Sequence, residues 1–543
     1  MMNKKWPFGG RGKPQRNGSK RCLIESNNND IQDGYDQAYT GYNNPSAQNR
    51  YNTHKEQTEE EITQELAELL GLLPDANTSE DGSCCSMRPE FKSQNLIQRS
   101  VAQHFPKPPA DLDQNLQEHL SNVQETVHKE LVKLDPLLTA RGLMGDLIDC
   151  YHRQTFDHLD DLLQNISSSQ NSFVLMNWVL HTYLSQELLG HPELQETDPI
   201  KNADLLLLTE WTRKAKDKLL QSVQKEVRGF LEKILQIERS QESCDHEEAC
   251  MRLYVDIIQC IEAMPKEAQK ISSKLSDLVR EVCFQELLRF LQRYAAEQTE
   301  VLGKKAKMDK PETIHFFKTL KTCKELKQYI QTKGNDITRS LHQQTVETLV
   351  NMEAFTLKLL KEIVADIAES CLKSYFKRGN KQFSLINTVK EHFPKLRWCQ
   401  DIQKRVMDEA YELIVHIYLK HLVRSSQSSL RKRWSADVGQ TVAEDADILQ
   451  YAISDLAPDV QKWNHMLLKT TELLECRDTE AVKVVVAGMQ KESLTWSVDL
   501  ELLPALLQWK GLSGWQVREV LDALPGDQPR PRPVSWYSCL PCC

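Results

Sequence analysis

The two ends of the sequence hold the residues whose type and spacing could do chemistry. Lys4, Lys5, Arg11, Lys13, Arg16, Lys20 and Arg21 all precede the first acidic residue, Glu25, and Trp6 and Phe8 lie among them. A cationic, acid-free segment can meet an anionic lipid surface, where each charge contributes up to about 1 kcal/mol before screening. Its aromatic rings suit the interface between headgroups and chains. At the other end stand Cys539, Cys542 and Cys543. These thiols could be acylated, but Cys539 is one residue too early for a prenylated CaaX ending. No second cysteine pair or histidine lies nearby to turn Cys539-Leu-Pro-Cys542 into a zinc site. Unmodified exposed thiols fit the same ending equally well.

Catalytic patterns are weak. His246-Glu247-Glu248-Ala249-Cys250 sets an imidazole and a thiol four residues apart, but it lacks the second histidine of a zinc protease and reads as the start of a surface helix. The glycines Gly9, Gly10 and Gly12 sit in the basic tail and form no phosphate-cradling loop. His104, His181, His392, His416 and His421 are scattered without a ligand spacing. No enzyme, cofactor or metal centre is expected.

Charge narrows the partners. The seven basic residues give the first 23 positions a formal +7 within a whole-chain net charge of -9, so the remainder carries -16. An acidic body repels polyanions, which argues against nucleic acid and for an anionic membrane surface as the target of the tail. Nuclear import is the competing reading of that tail. No apolar run approaches the roughly 18 residues of a membrane span. The start Met-Met-Asn-Lys-Lys lacks the apolar stretch of a secretory signal, so a cytosolic or peripheral protein is expected. Cys150, Cys260, Cys283 and Cys371 fall within apolar helical patterns and read as reduced core residues.

The elements that must carry these ends are helical. Glycine is scarce at 20 and proline at 21 in 543 residues, while Leu, Glu, Lys and Gln recur, which predicts an all-α chain. Residues 1–108 lack the apolar content to fold and read as a disordered basic and polar region. Within them a capping box at Thr58 and Glu61 leads a stripe of Ile62, Leu66, Leu69, Leu70 and Leu73, a short amphipathic helix near 59–73. From Asp111 onward apolar spacings of three and four predict bundle helices. Leu220, Val223, Val227, Phe230, Ile234 and Ile237 form one stripe on a helix beginning near Asp204. Ile271, Leu275, Leu278 and Val282 form another, and Val406, Ala410, Leu413 and Ile417 a third. Pro199, Pro265, Pro311 and Pro458 mark places where helices begin. The valines at 482, 484, 485 and 486 are a weak strand signal within a helical context, and helix is preferred. Helices of about 35 residues extend roughly 50 Å, so an elongated rod of tandem bundles is expected. Its divisions are 109–310, 311–440 and 441–525, with a joint in the polar stretch from Ser425 to Asp445 and a Pro/Cys-rich tail over 526–543.

Two segments of this helical body resemble the exocyst complex component 3 family. The first runs from Leu175-Met176-Asn177-Trp178-Val179 through Tyr183, Ser185, Glu187-Leu188-Leu189 and Glu193-Leu194. The second is Leu503-Pro504-Ala505-Leu506-Leu507 with Lys510-Gly511-Leu512. The basic N-terminus is most similar in character to the branch of tumour necrosis factor alpha-induced protein 2 and exocyst component 3-like proteins. The resemblance covers about residues 110–525. It implies a non-enzymatic vesicle-tethering rod that works with exocyst subunits, SNARE proteins or a Ral-type small GTPase. It also implies a cytoplasmic protein, peripheral at the plasma membrane, with phosphoinositide binding through the basic residues to anionic plasma-membrane lipids and a place in membrane protrusions.

Overall fold

The structure, a computed structural model, describes residues 89–194, 200, 204–240, 247–334, 337–378, 383–435, 437–492 and 502–524. Every regular element among them is helical: α1 (Pro89–His104), α2 (Leu112–Thr139), α3 (Met144–Asn165), α4 (Ser169–Asn177), α5 (Leu205–Ser240), α6 (Glu247–Ile271), α7 (Ser273–Ala306), α8 (Ile314–Lys333) and α9 (Arg339–Arg378). They continue with α10 (Leu385–His392), α11 (Gln400–Arg424), α12 (Gln427–Arg433), α13 (Val438–Leu456), α14 (His465–Glu475), α15 (Thr479–Glu492), α16 (Leu503–Lys510) and α17 (Gly514–Asp522). The all-α expectation holds, and Val482 and Val486 are buried on α15 while Val484 faces outward. Helix α1 starts well before Asp111, because Leu96, Ile97, Val101 and the following Phe105 supply a buried face that the sequence reading passed over.

The chain forms two compact units. The first takes residues up to Lys107, Ser121–Asp157 and Leu189–Asp204. Its buried apolar residues come from α1, from Val123, Val127 and Leu131 of α2, and from Leu147, Ile148 and Tyr151 of α3. The second takes Pro108–Leu120, His158–Leu188 and everything from Leu205 onward.

In the second unit α7 packs along α5, α6 and α9, and α9 packs in turn on α8 and α11. The core face of α5 is Trp211, Ala215, Leu219, Val223, Val227, Leu231 and Ile234. The expected stripe is therefore rotated: Leu220 and Phe230 are half-buried and Ile237 is exposed. Ser272 breaks the stripe drawn from Ile271 to Val282. It caps α7 by accepting from the Leu275 amide at 3.1 Å, and Leu278 then turns outward. Pro265 stands inside α6 rather than at a helix start, with its carbonyl accepting the Ser276 hydroxyl at 3.0 Å. Pro458 follows the end of α13. The third stripe is confirmed, with Val406, Ala410 and Ile417 buried and Leu413 packed against the core.

One continuous core runs from Leu302 on α7 to Val520 on α17. The polar stretch from Ser425 to Asp445 is largely helical and contributes Leu430, Val438 and Val442 to it. Within this core the carboxylate of Asp445 accepts the hydroxyls of Tyr375 (2.9 Å) and Tyr418 (2.6 Å), joining α13 to α9 and α11. The Trp434 ring lies 5.0 Å from that of Tyr375.

Both segments that carry the family resemblance are ties between helix ends. Trp178–Tyr183 is a π-helical turn whose His181 contacts the Ile271 carbonyl at the end of α6 (3.1 Å). Its Trp178 and Tyr183 rings lie 5.6 Å apart and are buried. In the second segment the Trp509 indole donates to the Ser425 carbonyl at the end of α11, and Gln427 of α12 donates to the Trp509 carbonyl at 2.7 Å. Lys510 donates to the carbonyls of Leu474 (3.3 Å) and Cys476 (2.8 Å) at the end of α14. Gly511 ends α16 at φ +110°, and the Leu512 amide reaches back to the Leu507 carbonyl.

Two outcomes follow from these polar contacts. Burial pushes the Asp445 carboxyl up to about 6, against the pull of the two phenol hydrogen bonds. Its folded value lies above its unfolded one, so its favourable contribution is present below about pH 4 and lost as pH rises to about 6. Relative to Asp445→Asn, the wild type should lose about 2–3 kcal/mol of apparent stability between pH 4 and pH 7, measured as the difference in urea unfolding midpoints. At Gly511 a side chain is strained at positive φ, so Gly511→Ala should cost about 1–3 kcal/mol in the same measurement and Gly511→Asn clearly less.

Candidate functional site

The residues that the sequence puts forward for lipid contact, Lys4, Lys5, Arg11, Lys13, Arg16, Lys20 and Arg21, lie outside the described residues. So do the amphipathic segment 59–73, His246, and Cys539, Cys542 and Cys543. The structure thus describes the helical body and what its surface offers.

That body separates its reactive side chains. His104 contacts its own helix at the Ser100 carbonyl, and His392 does the same at Thr388, each at 2.7 Å. His421 and Lys420 both contact the carboxylate of Glu369, at 2.8 and 2.7 Å. One histidine pair was not legible in the sequence, because its members are 39 residues apart: Nε2 of His119 lies 2.7 Å from Nε2 of His158. One imidazole must donate and the other accept, so the acceptor is neutral; burial with the neighbouring ring holds His158 down at about 4, and burial also lowers His119. Among the described residues no group of three or more His, Cys, Asp or Glu could hold a metal. Of the four cysteines expected in the core, Cys260 and Cys283 are free and buried, whereas Cys150 and Cys371 are free and half-buried; Cys323 and Cys399 are free and buried as well. Burial pushes the Cys260 thiol up to about 12, which removes it as a nucleophile.

Charged groups inside the second unit are spent on each other. Glu286, nearly inaccessible on α7, accepts from Arg228 and Gln224 of α5 and from Arg289. Lys318 of α8 donates to Glu238 of α5 at 2.7 Å, and both are largely buried. A cleft of about 260 Å³ holds Lys327, Glu353 and Arg405, but Glu353 pairs with both cations. These arrangements hold helices in place and present no converging unsatisfied groups to a substrate.

Outward-facing apolar residues remain. On α13, Tyr451 is 78% exposed and Ile448 46%, next to the exposed carboxylates of Glu444 and Asp447. Val484 on α15 and Trp515 on α17 are exposed as well. No helix among the described residues is long and apolar enough to cross a membrane.

Known proteins agree with this reading of the body. The chain is 23% identical over 392 residues to an exocyst complex component 3-like protein of Danio rerio, covering 66% of this chain and 49% of that protein. It is 23% identical over 439 residues to tumor necrosis factor alpha-induced protein 2 of Mus musculus, covering 76% and 61%. It therefore spans about half to three fifths of the length of these relatives. The crystal structure of M-Sec matches with a TM-score of 0.58 at 16% identity, over 87% of this chain and 85% of that one, which supports the helical-bundle fold. Residues 143–511 match the exocyst complex component Sec6, and since that match takes in well over half of the sequence, the chain belongs to the Sec6 family.

Proposed function

We propose that this chain is a non-enzymatic scaffold that tethers vesicles in exocytosis at the cytoplasmic face of the plasma membrane. The observation that carries the tethering role is the Sec6 match across residues 143–511, joined to a body whose buried charges pair internally and whose outward faces carry apolar residues. Its partners in this reading are exocyst subunits, which the Sec6 family match supports, together with SNARE proteins and a Ral-type small GTPase, which rest on the family resemblance alone.

Recruitment is assigned to Lys4, Lys5, Arg11, Lys13, Arg16, Lys20 and Arg21, which meet anionic phosphoinositide, with Cys539, Cys542 and Cys543 as sites of acylation. The charge contrast supports this: +7 in 23 residues against -16 in the rest makes an anionic surface attractive to one segment and repellent to the remainder. A second reading, a soluble tether subunit recruited through proteins alone, draws on the same family match.

Liposome co-sedimentation separates the two. Vesicles containing phosphatidylinositol bisphosphate should retain the full chain at low salt and release it as salt rises, and changing all seven basic residues to Gln should reduce binding at least tenfold. Equal binding by that variant sinks the lipid reading. If location in cells survives removal of residues 1–57 while exocyst subunits still co-purify, recruitment runs through proteins. For the cysteines, metabolic palmitate labelling should fall to background in a Cys539, Cys542 and Cys543 to Ser variant, and unchanged labelling rejects acylation there.

A further inference from the structure

We infer that the outward stripe of α13 is a docking surface for a basic amphipathic helix of a partner protein. Helix α13 gives Val442, Ala446, Leu449, Ile453 and the Asp445 carboxylate to the core. The opposite side presents Glu444, Asp447, Ile448 and Tyr451, spaced at i, i+3, i+4 and i+7, so they form one ridge. Single exposed apolar residues are ordinary on a solvated face, but two that stand together on one helical ridge form a patch. Here the ridge centres on an isoleucine and a tyrosine, the tyrosine 78% exposed, which is the composition of a contact surface.

Charge selects the occupant. From Trp434 to Gln461 the sequence has no lysine or arginine but has six acids, Asp437, Glu444, Asp445, Asp447, Asp455 and Asp459. Three are already engaged: Asp445 by the two tyrosines, Asp437 as the cap of α13, and Asp455 by Lys390 and Lys395. Among the described residues no cation pairs with Glu444 or Asp447, the two carboxylates that flank Ile448; Glu444 accepts an amide hydrogen bond from Gln440. A neutral helix laid on Ile448 and Tyr451 would cover these carboxylates without compensation, and an acidic one would repel them. A helix with Leu or Phe on one side and Lys or Arg at its margins satisfies both demands, and the exposed Tyr451 ring adds a cation–π face. This surface is independent of the proposed lipid contact and has the opposite sign.

The test uses the full-length chain and two labelled synthetic 18-residue amphipathic helices, one built of Lys and Leu and one of Glu and Leu, followed by fluorescence anisotropy. The Lys/Leu peptide should bind and the Glu/Leu peptide should not. The double substitution Ile448→Ser with Tyr451→Ser should weaken binding at least tenfold, and Asp447→Lys by a similar factor, with circular dichroism unchanged because all three side chains are exposed. Wild-type affinity in both variants overturns the proposal. So does an affinity that rises more than fivefold once residues 1–57 are removed, because the occupant is then the chain's own basic segment.

Discussion

Helix α9 sets the terms for the larger unit. It is 40 residues long, about 60 Å at 1.5 Å per residue, and buries Leu349, Met352, Leu360, Ile363, Val364, Ala368, Leu372 and Phe376 along that length. Each such side chain contributes roughly 1.5–3 kcal/mol when removed from water, and the stripe has to be covered along its length to offset the cost of ordering the helix. Helices α7, α8 and α11 do this together. None of the three matches its length, at 34, 20 and 25 residues, so the stripe needs more than one neighbour to cover it.

Apolar stripes define which faces meet but hold register weakly, since a slide of one turn brings similar residues together. Polar groups inside the interface supply what the stripes lack. If α5 slipped by a turn on α7, Glu286 would lose Arg228 and Gln224 and keep only Arg289 of its own helix, leaving a nearly inaccessible carboxylate with lone pairs unmet. Lys318 with Glu238 fixes α8 on α5 in the same way. Asp445 fixes α13 against two helices at once, although burial makes its ionised form costly. The ends are fixed by the π-helical turn at Trp178–Tyr183 and by the clasp of Trp509, Lys510 and Gly511. Frayed helix ends would otherwise expose orphan carbonyls, and these are the groups that Lys510 and the Trp509 indole meet.

Helix existence was legible because it depends on local spacing. The phase of a stripe was less so, because which apolar residues face inward depends on neighbours that no local pattern names. Leu220 and Leu219 are adjacent, and the structure buries the second. Leu278 matches the spacing of a buried position and is exposed, because the Ser272 cap restarts the helix with Val279 facing in. Pro265 looked like a boundary, yet α6 runs on to Ile271, and the Ser276 contact to the proline's own carbonyl shows how closely the next helix folds back. The clasp could not be read, since Trp509 and Ser425 are 84 residues apart. The basic segment, in contrast, is a property of composition and needed no fold to be seen.

That difference decides what the likeness to known proteins can convey. Most of the residues that carried the resemblance are buried or tie helix ends together, with Asn177 and Glu187 exposed, so they report chiefly how the chain folds. Partner choice depends on exposed side chains, and those are free to differ without disturbing a single core contact. On α13 the inward face is committed to Val442, Leu449 and Asp445, whereas Ile448 and Tyr451 contribute nothing to that packing. The proposed lipid-seeking segment and the proposed α13 surface have opposite charge, so a ligand suited to one is repelled by the other. With screening over about 8 Å at physiological salt, each acts on what lies directly against it. The proposed tether needs two attachments that do not compete, and opposite sign meets that requirement with charge alone.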